Sequence, residues 1–216
     1  EKVEGIDVHV YGAHIFHTSN EEVWTYVNQF ASFNHFVNRV KANYKGKLYS
    51  MPFNMYTFEQ LWGTKTAEEA QAIIESQRAA LGGKQPENLE EQAISLVGTD
   101  VYETLVKGYT EKQWGRRCRD LPAFIIKRLP LRFTYDDNYF NDKYQGIPEE
   151  GYTALAEKLF AGAKVLLNTD YFDFIKETKD TFGKTVFTGM PDEFFGYRFG
   201  KLEYRTVRFE TEVLDI

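Results

Sequence analysis

The chain has 216 residues, 43% of them hydrophobic and 27% charged, which supports one sizeable core or two modest ones and excludes disorder. Lys and Arg number 26 against 32 Asp and Glu, and the net charge of −6 argues against a sequence-independent nucleic-acid binder. A single cysteine rules out an internal disulfide framework and fits a reducing cytoplasm, while no apolar run reaches membrane-spanning length and no signal-peptide pattern is present.

Residues 6–11 alternate apolar and polar and run into Gly12, predicting a strand and a turn. Ser19 or Asn20 caps a predicted helix over 21–30, with Val23, Tyr26, Val27 and Phe30 on its core face. Residues 37–53 read as extended, with a Lys45-Gly46 turn marking a hairpin near 40–53. From Thr57 to Tyr109 the pattern is helical. Thr66-x-x-Glu69 forms a capping box, Asn88 caps the next helix with Glu91 in the reciprocal position, and Gly98 stops it before Asp100 starts another. These short helices make a small bundle. Residues 132–135 then read as extended, 136–146 as a polar aromatic loop and 153–160 as a short helix. Residues 165–167, 185–188 and 202–209 read as strands. The sum is an α+β fold, a helical insert followed by a mostly antiparallel sheet. The first residue is Glu1, and the chain ends abruptly at FETEVLDI, so a piece of a longer protein is expected.

Chemistry concentrates in residues 107–148, KGYTEKQWGRRCRDLPAFIIKRLPLRFTYDDNYFNDKYQGIP. Tyr109, Trp114, Tyr135, Tyr139 and Tyr144 offer flat faces with polar tips, and Lys127, Arg128 and Arg132 supply positive charge. Rings that stack on a base or sugar beside guanidinium groups that fork onto phosphate oxygens suit a nucleotide-sugar ligand. Each ring taken singly is as readily a core residue, and Arg128 in IIKRLP reads either as a surface arginine or as a guanidinium on a flexible segment meeting a pyrophosphate.

Other chemistries find less support. His9, His14 and His17 lack acidic or cysteine neighbours at ligand spacing, so no metal site is expected. Cys118 sits among Arg116, Arg117 and Arg119, which should lower its pKa, but no histidine lies close in sequence to act with it. Neither a P-loop nor G-x-G-x-x-G occurs, so a dinucleotide-binding glycine loop is absent from the sequence.

Six blocks carry a resemblance: YGAHIFHTSNEEVW (11–24), NLEEQAISLVG (88–98), GYTEKQWGR (108–116), LPAFIIKRLPLRF (121–133), NYFNDKYQGIP (138–148) and YRFGKLEYR (197–205). Together the chain closely resembles the UDP-galactopyranose mutase family, flavoenzymes that interconvert UDP-galactopyranose and UDP-galactofuranose in the cytoplasm for cell-surface glycans. The resemblance implies that this chain is part of a Rossmann-type, FAD-containing α/β enzyme. It implies a remnant of the FAD domain over 1–20, a mainly helical substrate domain over 21–125, and a mobile loop with a sheet domain over 126–216. It places His14, Ile15 and His17 against the flavin, with Asp170 and Tyr171 at its adenosine end. It places Asn38, Tyr109, Thr110, Trp114 and Tyr139 at the UDP-sugar, and makes Arg128 the mobile-loop arginine that closes on the pyrophosphate. Arg128 and His17 are thereby the implied catalytic residues. Reduced flavin would attack the anomeric carbon through N5, so the protein need supply no nucleophile. The implied partners are UDP-galactose and UDP, with no nucleic acid and no integral membrane contact, and a homodimer is compatible. The RRCR turn at 116–119 is more basic than the family's usual one, and spacing near 181–183 varies. The isolated chain is expected to be inactive. A non-catalytic nucleotide-sugar binding module is the alternative, and a plain interaction domain would leave the Tyr109–Tyr144 aromatics unexplained.

Overall fold

A computed structural model describes residues 2–127, 129–210 and 212–214. It divides into two compact units, Glu1–Glu149 and Glu150–Ile216. The secondary structure is α+β, short helices with small antiparallel two-stranded sheets.

In the first unit a short hairpin pairs β1 (Lys2–Val3) with β2 (Ile6–Asp7), so only the start of the strand predicted over 6–11 is paired. Strand β3 (Phe16–Thr18) leads into helix α1 (Glu21–Val27), which Asn20 caps by accepting from the Glu22 and Val23 N–H groups. This helix is shorter than predicted and turns a different face inward. Val27 is buried and Trp24 packs on Phe16 and Phe33, whereas Val23 and Tyr26 stay exposed. The aromatic wall formed by Phe16 and Phe33 draws the indole in place of the aliphatic stripe.

The hairpin near 40–53 forms as predicted from β4 (Val40–Tyr44) and β5 (Lys47–Met51). Lys45 and Gly46 both take positive φ, 52° and 81°, the twist a two-residue hairpin turn needs. Asn54 then caps α2 (Met55–Trp62) from full burial. Its side chain accepts from the Tyr56 and Thr57 N–H groups, and Thr57 Oγ1 accepts from Asn54 N–H while donating to the Ser50 carbonyl at 2.6 Å. Two buried residues, Asn54 and Thr57, thus join hairpin to helix. Asn54→Ala should cost about 2 kcal/mol, the upper end for a lost cap, because two helix N–H groups lose their acceptor away from water. Urea denaturation reads this directly, and a loss under about 0.5 kcal/mol would contradict it.

Both predicted caps further along are present. Thr66 and Glu69 form the box opening α3 (Ala67–Ala79), and Asn88 accepts from Glu91 N–H at the start of α4 (Leu89–Val97). Glu91 bonds back to Glu87 N–H, one residue earlier than the predicted partner. Gly98, at φ 82°, ends α4. The next helical run comprises α5 (Thr99–Val101), a π-helical turn (Tyr102–Val106) and α6 (Lys107–Trp114). Phe58, Ile74, Leu89, Val97, Tyr102 and Leu121 form the heart of the core these helices share. Residues 131–134 run beside Phe53–Met55, where Arg132 N–H bonds the Phe53 carbonyl and Met55 N–H the Thr134 carbonyl. Strand β6 (Tyr144–Gly146) closes the unit by pairing antiparallel with β3. A Cβ at Gly146 would lie 2.4 Å from the Asn34 carbonyl oxygen, so this close backbone approach requires glycine.

The second unit contains α7 (Gly151–Leu159), α8 (Tyr171–Glu177) and α9 (Pro191–Phe194). Tyr171, Phe172, Phe187 and Phe194 pack ring against ring. The strands predicted at 165–167, 185–188 and 202–209 do not form among the described residues. Alternating apolar residues define a face, but a strand also needs a neighbour's backbone groups and a layer to bury against. Here Leu167 and Val186 remain exposed, and the segment after 200 is held instead by Asp192, which accepts from Leu202 N–H at 2.9 Å and Tyr204 O–H at 2.6 Å. No helix of the described residues is long and apolar enough to cross a membrane.

Candidate functional site

The pairing of β3 with β6 brings residues far apart in sequence into one closed ring of contacts. His17 faces Gln145 across the ladder, and Gln145 Oε1 accepts from Asn38 N–H at 3.1 Å. The Asn38 carbonyl accepts from Tyr139 N–H at 2.8 Å. Tyr139 sets its ring edge-on to Phe140, with centroids 5.2 Å apart. Phe140 in turn stacks on the His17 imidazole at 3.7 Å and 13°, which completes the ring. Three residues singled out from the sequence, His17, Asn38 and Tyr139, are therefore joined in one ring of contacts, Asn38 through its backbone groups.

Two residues that the sequence did not assign to this ring hold His17 further, Asp142 directly and Ser19 through it. Asp142 Oδ2 lies 2.6 Å from His17 Nδ1, and Ser19 Oγ donates to Asp142 Oδ1 at 2.7 Å. The hydrogen bond with His17, reinforced by that from Ser19, holds the Asp142 carboxyl below the usual carboxylate range. Its contribution to stability is therefore present at neutral pH and lost as pH falls through that lowered value. The melting-temperature gap between the parent and Asp142→Asn should be widest near neutrality and close below about pH 4. A gap unchanged in acid would contradict this.

The 136–141 loop that carries Tyr139 is braced by Arg132. Its guanidinium bonds the Asn138 carbonyl and Asn141 Oδ1 and lies 3.6 Å from Asp136, with only 13% of the side chain exposed. The sequence reading counts Arg132 among the charges beside the rings; the structure commits its guanidinium to bracing the loop. The basic run shows the same pattern. Arg116 donates to the Asp120 carbonyl, Arg117 pairs with the Asp120 carboxylate and Arg119 approaches Glu90. Cys118 between them is fully buried, and desolvation pushes its thiol up, the reverse of the shift predicted from its arginine neighbours.

Helix α6 carries Tyr109, Thr110 and Trp114. Tyr109 is 68% exposed and Trp114 36%, so both rings present area to solvent, while Thr110 is buried. Gln113 donates to the Tyr109 hydroxyl at 3.0 Å, one turn along. Two other rings of the cluster are packed, Tyr144 flat on Trp24 and Tyr135 edge-on to Tyr56. His14 lies nearer the N-terminus, where its N–H donates to His9 Nδ1 and its own Nδ1 lies 2.8 Å from the Gly12 carbonyl, with Ile15 half-buried beside it. In the second unit Asp170 caps α8 by accepting from the Phe172 and Asp173 N–H groups, and Tyr171 belongs to the aromatic cluster there. Arg128 lies outside the described residues.

Two surface cavities lie elsewhere in the first unit. One of about 320 Å³ is lined by residues 80–81, 84–87 and 91, the other of about 370 Å³ by the outer face of α1, and none of the expected site residues lines either. Among the described residues no group of three or more His, Cys, Asp or Glu could hold a metal ion.

The family model of UDP-galactopyranose mutase matches residues 104–216, more than half of the chain. The chain belongs to the UDP-galactopyranose mutase family. A probable UDP-galactopyranose mutase of Klebsiella pneumoniae is 45% identical over 204 residues, covering 94% of this chain and 53% of the relative. A dTDP-fucopyranose mutase of Escherichia coli is 44% identical, covering 95% of this chain and 56% of the relative. A UDP-galactopyranose mutase of Mycoplasma pneumoniae is 26% identical, covering 97% and 56%. The chain thus spans about half the length of the curated family members it matches.

Proposed function

We propose that the protein to which this chain belongs is a cytoplasmic isomerase that interconverts UDP-galactopyranose and UDP-galactofuranose with the help of a reduced flavin. The observation that carries this reading is the closed ring joining His17, Asn38 and Tyr139, three residues that the family resemblance assigns to the flavin and the sugar nucleotide. Membership of the family supports the same reading.

The residues present fit a flavin at the first loop. His17 is held flat and fixed, with 39% of its side chain exposed, and a ring so placed can hydrogen-bond the polar edge of a planar heterocycle. His14 and Ile15 would line the same side. At Asp170 the fit is weaker, because Oδ1 is already spent on the helix cap. The sequence contains no G-x-G-x-x-G loop, so we infer that flavin binding and turnover require a Rossmann-type domain besides these 216 residues. When bound, reduced flavin supplies the nucleophile for the anomeric carbon.

The chain's own residues hold the donor while the bond to UDP breaks and reforms. Tyr109 and Trp114 offer exposed rings for the uracil, and the Tyr139 hydroxyl donates to a phosphate oxygen. Arg128 meets the diphosphate as it gains charge, and Asn38 orients the sugar. Trp114→Ala in the intact protein should weaken UDP binding about tenfold or more, the usual worth of one stacked base. Titration calorimetry checks this, and an unchanged dissociation constant would remove the stacking role.

A second donor has specific support, since the dTDP-fucopyranose mutase is as similar to this chain as the Klebsiella relative. Uridine and thymidine share the pyrimidine face that an indole stacks on, so the α6 rings serve either nucleotide. Chromatographic assay of the reduced protein with each donor decides between them. Faster conversion of UDP-galactopyranose supports the first reading, faster conversion of dTDP-fucopyranose replaces it, and conversion of neither overturns both.

A further inference from the structure

We propose that Asp142 is a positioning residue, whose carboxylate fixes His17 as the tautomer protonated on Nδ1 and so presents Nε2 as the ring's acceptor to the bound ligand. The proposal rests on the mutase reading for the ligand's identity, and on geometry for everything else.

Asp142 and His17 are 125 residues apart, yet β3–β6 pairing places Oδ2 at 2.6 Å from Nδ1. An ionised carboxylate only accepts, so Nδ1 must carry the proton. The low-lying carboxyl agrees with that assignment. Ser19 then makes the orientation one-way. Its Oγ accepts from Lys143 N–H at 3.2 Å, so its own hydrogen goes to Asp142 Oδ1, and both carboxylate oxygens are engaged. Phe140 prevents the ring from rotating out of this bond by stacking on it within 13°. A neutral imidazole so held has one acceptor nitrogen, Nε2, aimed away from Asp142. The logic is that of a buried acid orienting a histidine in a hydrolase, here without a nucleophile attached.

Substituting Asn for Asp142 tests this with little change of shape. Ser19 donates to the amide oxygen, which turns the amide N–H toward His17 Nδ1. Nδ1 then becomes the acceptor and the proton moves to Nε2. Nitrogen-15 spectra of the intact protein, recorded at about pH 8, well above the ordinary imidazole range, distinguish the two tautomers. Expected are an Nδ1–H signature for His17 in the parent, a switch to Nε2–H in Asp142→Asn, and retention in Ser19→Ala. An Nε2–H parent, or an Asp142→Asn spectrum identical to the parent, overturns the assignment without any variant needing to be active.

Turnover measured on the same samples tests the link to the reaction. Asp142→Asn should lower it at least about tenfold, with Asp142→Glu recovering part of the loss. A switched tautomer with parental turnover would overturn the positioning role. A parent that turns over neither sugar nucleotide would instead refute the mutase reading, leaving the tautomer result to stand by itself.

Discussion

Arg128→Ala in the intact protein is expected to lower turnover at least about a hundredfold while leaving the flavin absorbance normal. In the proposed reaction the diphosphate gains charge as it leaves the anomeric carbon, and a guanidinium placed against it there would bind the transition state better than the bound donor. Removing one preorganised donor of this kind costs about 3 kcal/mol, and Lys replaces it poorly because a point charge cannot fork onto two phosphate oxygens. Arg132 provides the contrast. Its guanidinium is committed to Asn138, Asn141 and Asp136, so Arg132→Ala should loosen the Tyr139 loop and act mainly through KM and melting temperature. If Arg128→Ala turns over at the parental rate, the leaving-group role is wrong.

Phe58→Ala is expected to cost about 3–5 kcal/mol of stability, a large share of a typical domain's total. Phe58 is fully buried on α2, stacked on Trp62 at 5.5 Å and 11° and tilted against Phe133 at 5.6 Å. Phe133 lies on the segment between the RRCR turn and the Tyr139 loop. The cavity left by the ring would therefore slacken both the helical core and the approach to the site. Denaturant unfolding followed by tryptophan fluorescence measures the cost, and a loss below about 1 kcal/mol would mean that the core is not organised around α2.

What the sequence made legible was local. The Lys45-Gly46 turn, the Thr66–Glu69 box and the Asn88 cap are decided by residues within four positions of one another, and each appears in the structure. The α+β character followed from the same signals. Misreadings came where a residue's partner is distant. The strands predicted at 165–167, 185–188 and 202–209 had the composition of strands but no neighbour to pair with among the described residues. Arg132 reads in the sequence as a free positive charge, whereas the structure commits it to a loop, and the lowered thiol pKa expected of Cys118 from its arginine neighbours is reversed by burial. Asp142 left only one trace in the sequence, its place inside the NYFNDKYQGIP block, and nothing local ties it to a histidine near the other end of the unit. His17, Asn38 and Tyr139 were singled out through resemblance, and their joining in one ring of contacts could not be read from spacing.

In the proposed function Trp114, Tyr109, Asn38, Tyr139 and Arg128 grip one nucleoside diphosphate sugar. A crystal structure of the intact protein with UDP decides whether they do. The predicted result is uracil stacked on Trp114 or Tyr109, with the diphosphate within hydrogen-bonding distance of Tyr139 and Arg128. UDP bound well away from these side chains, for example in the cavity beside Lys84 and Pro86, would contradict it.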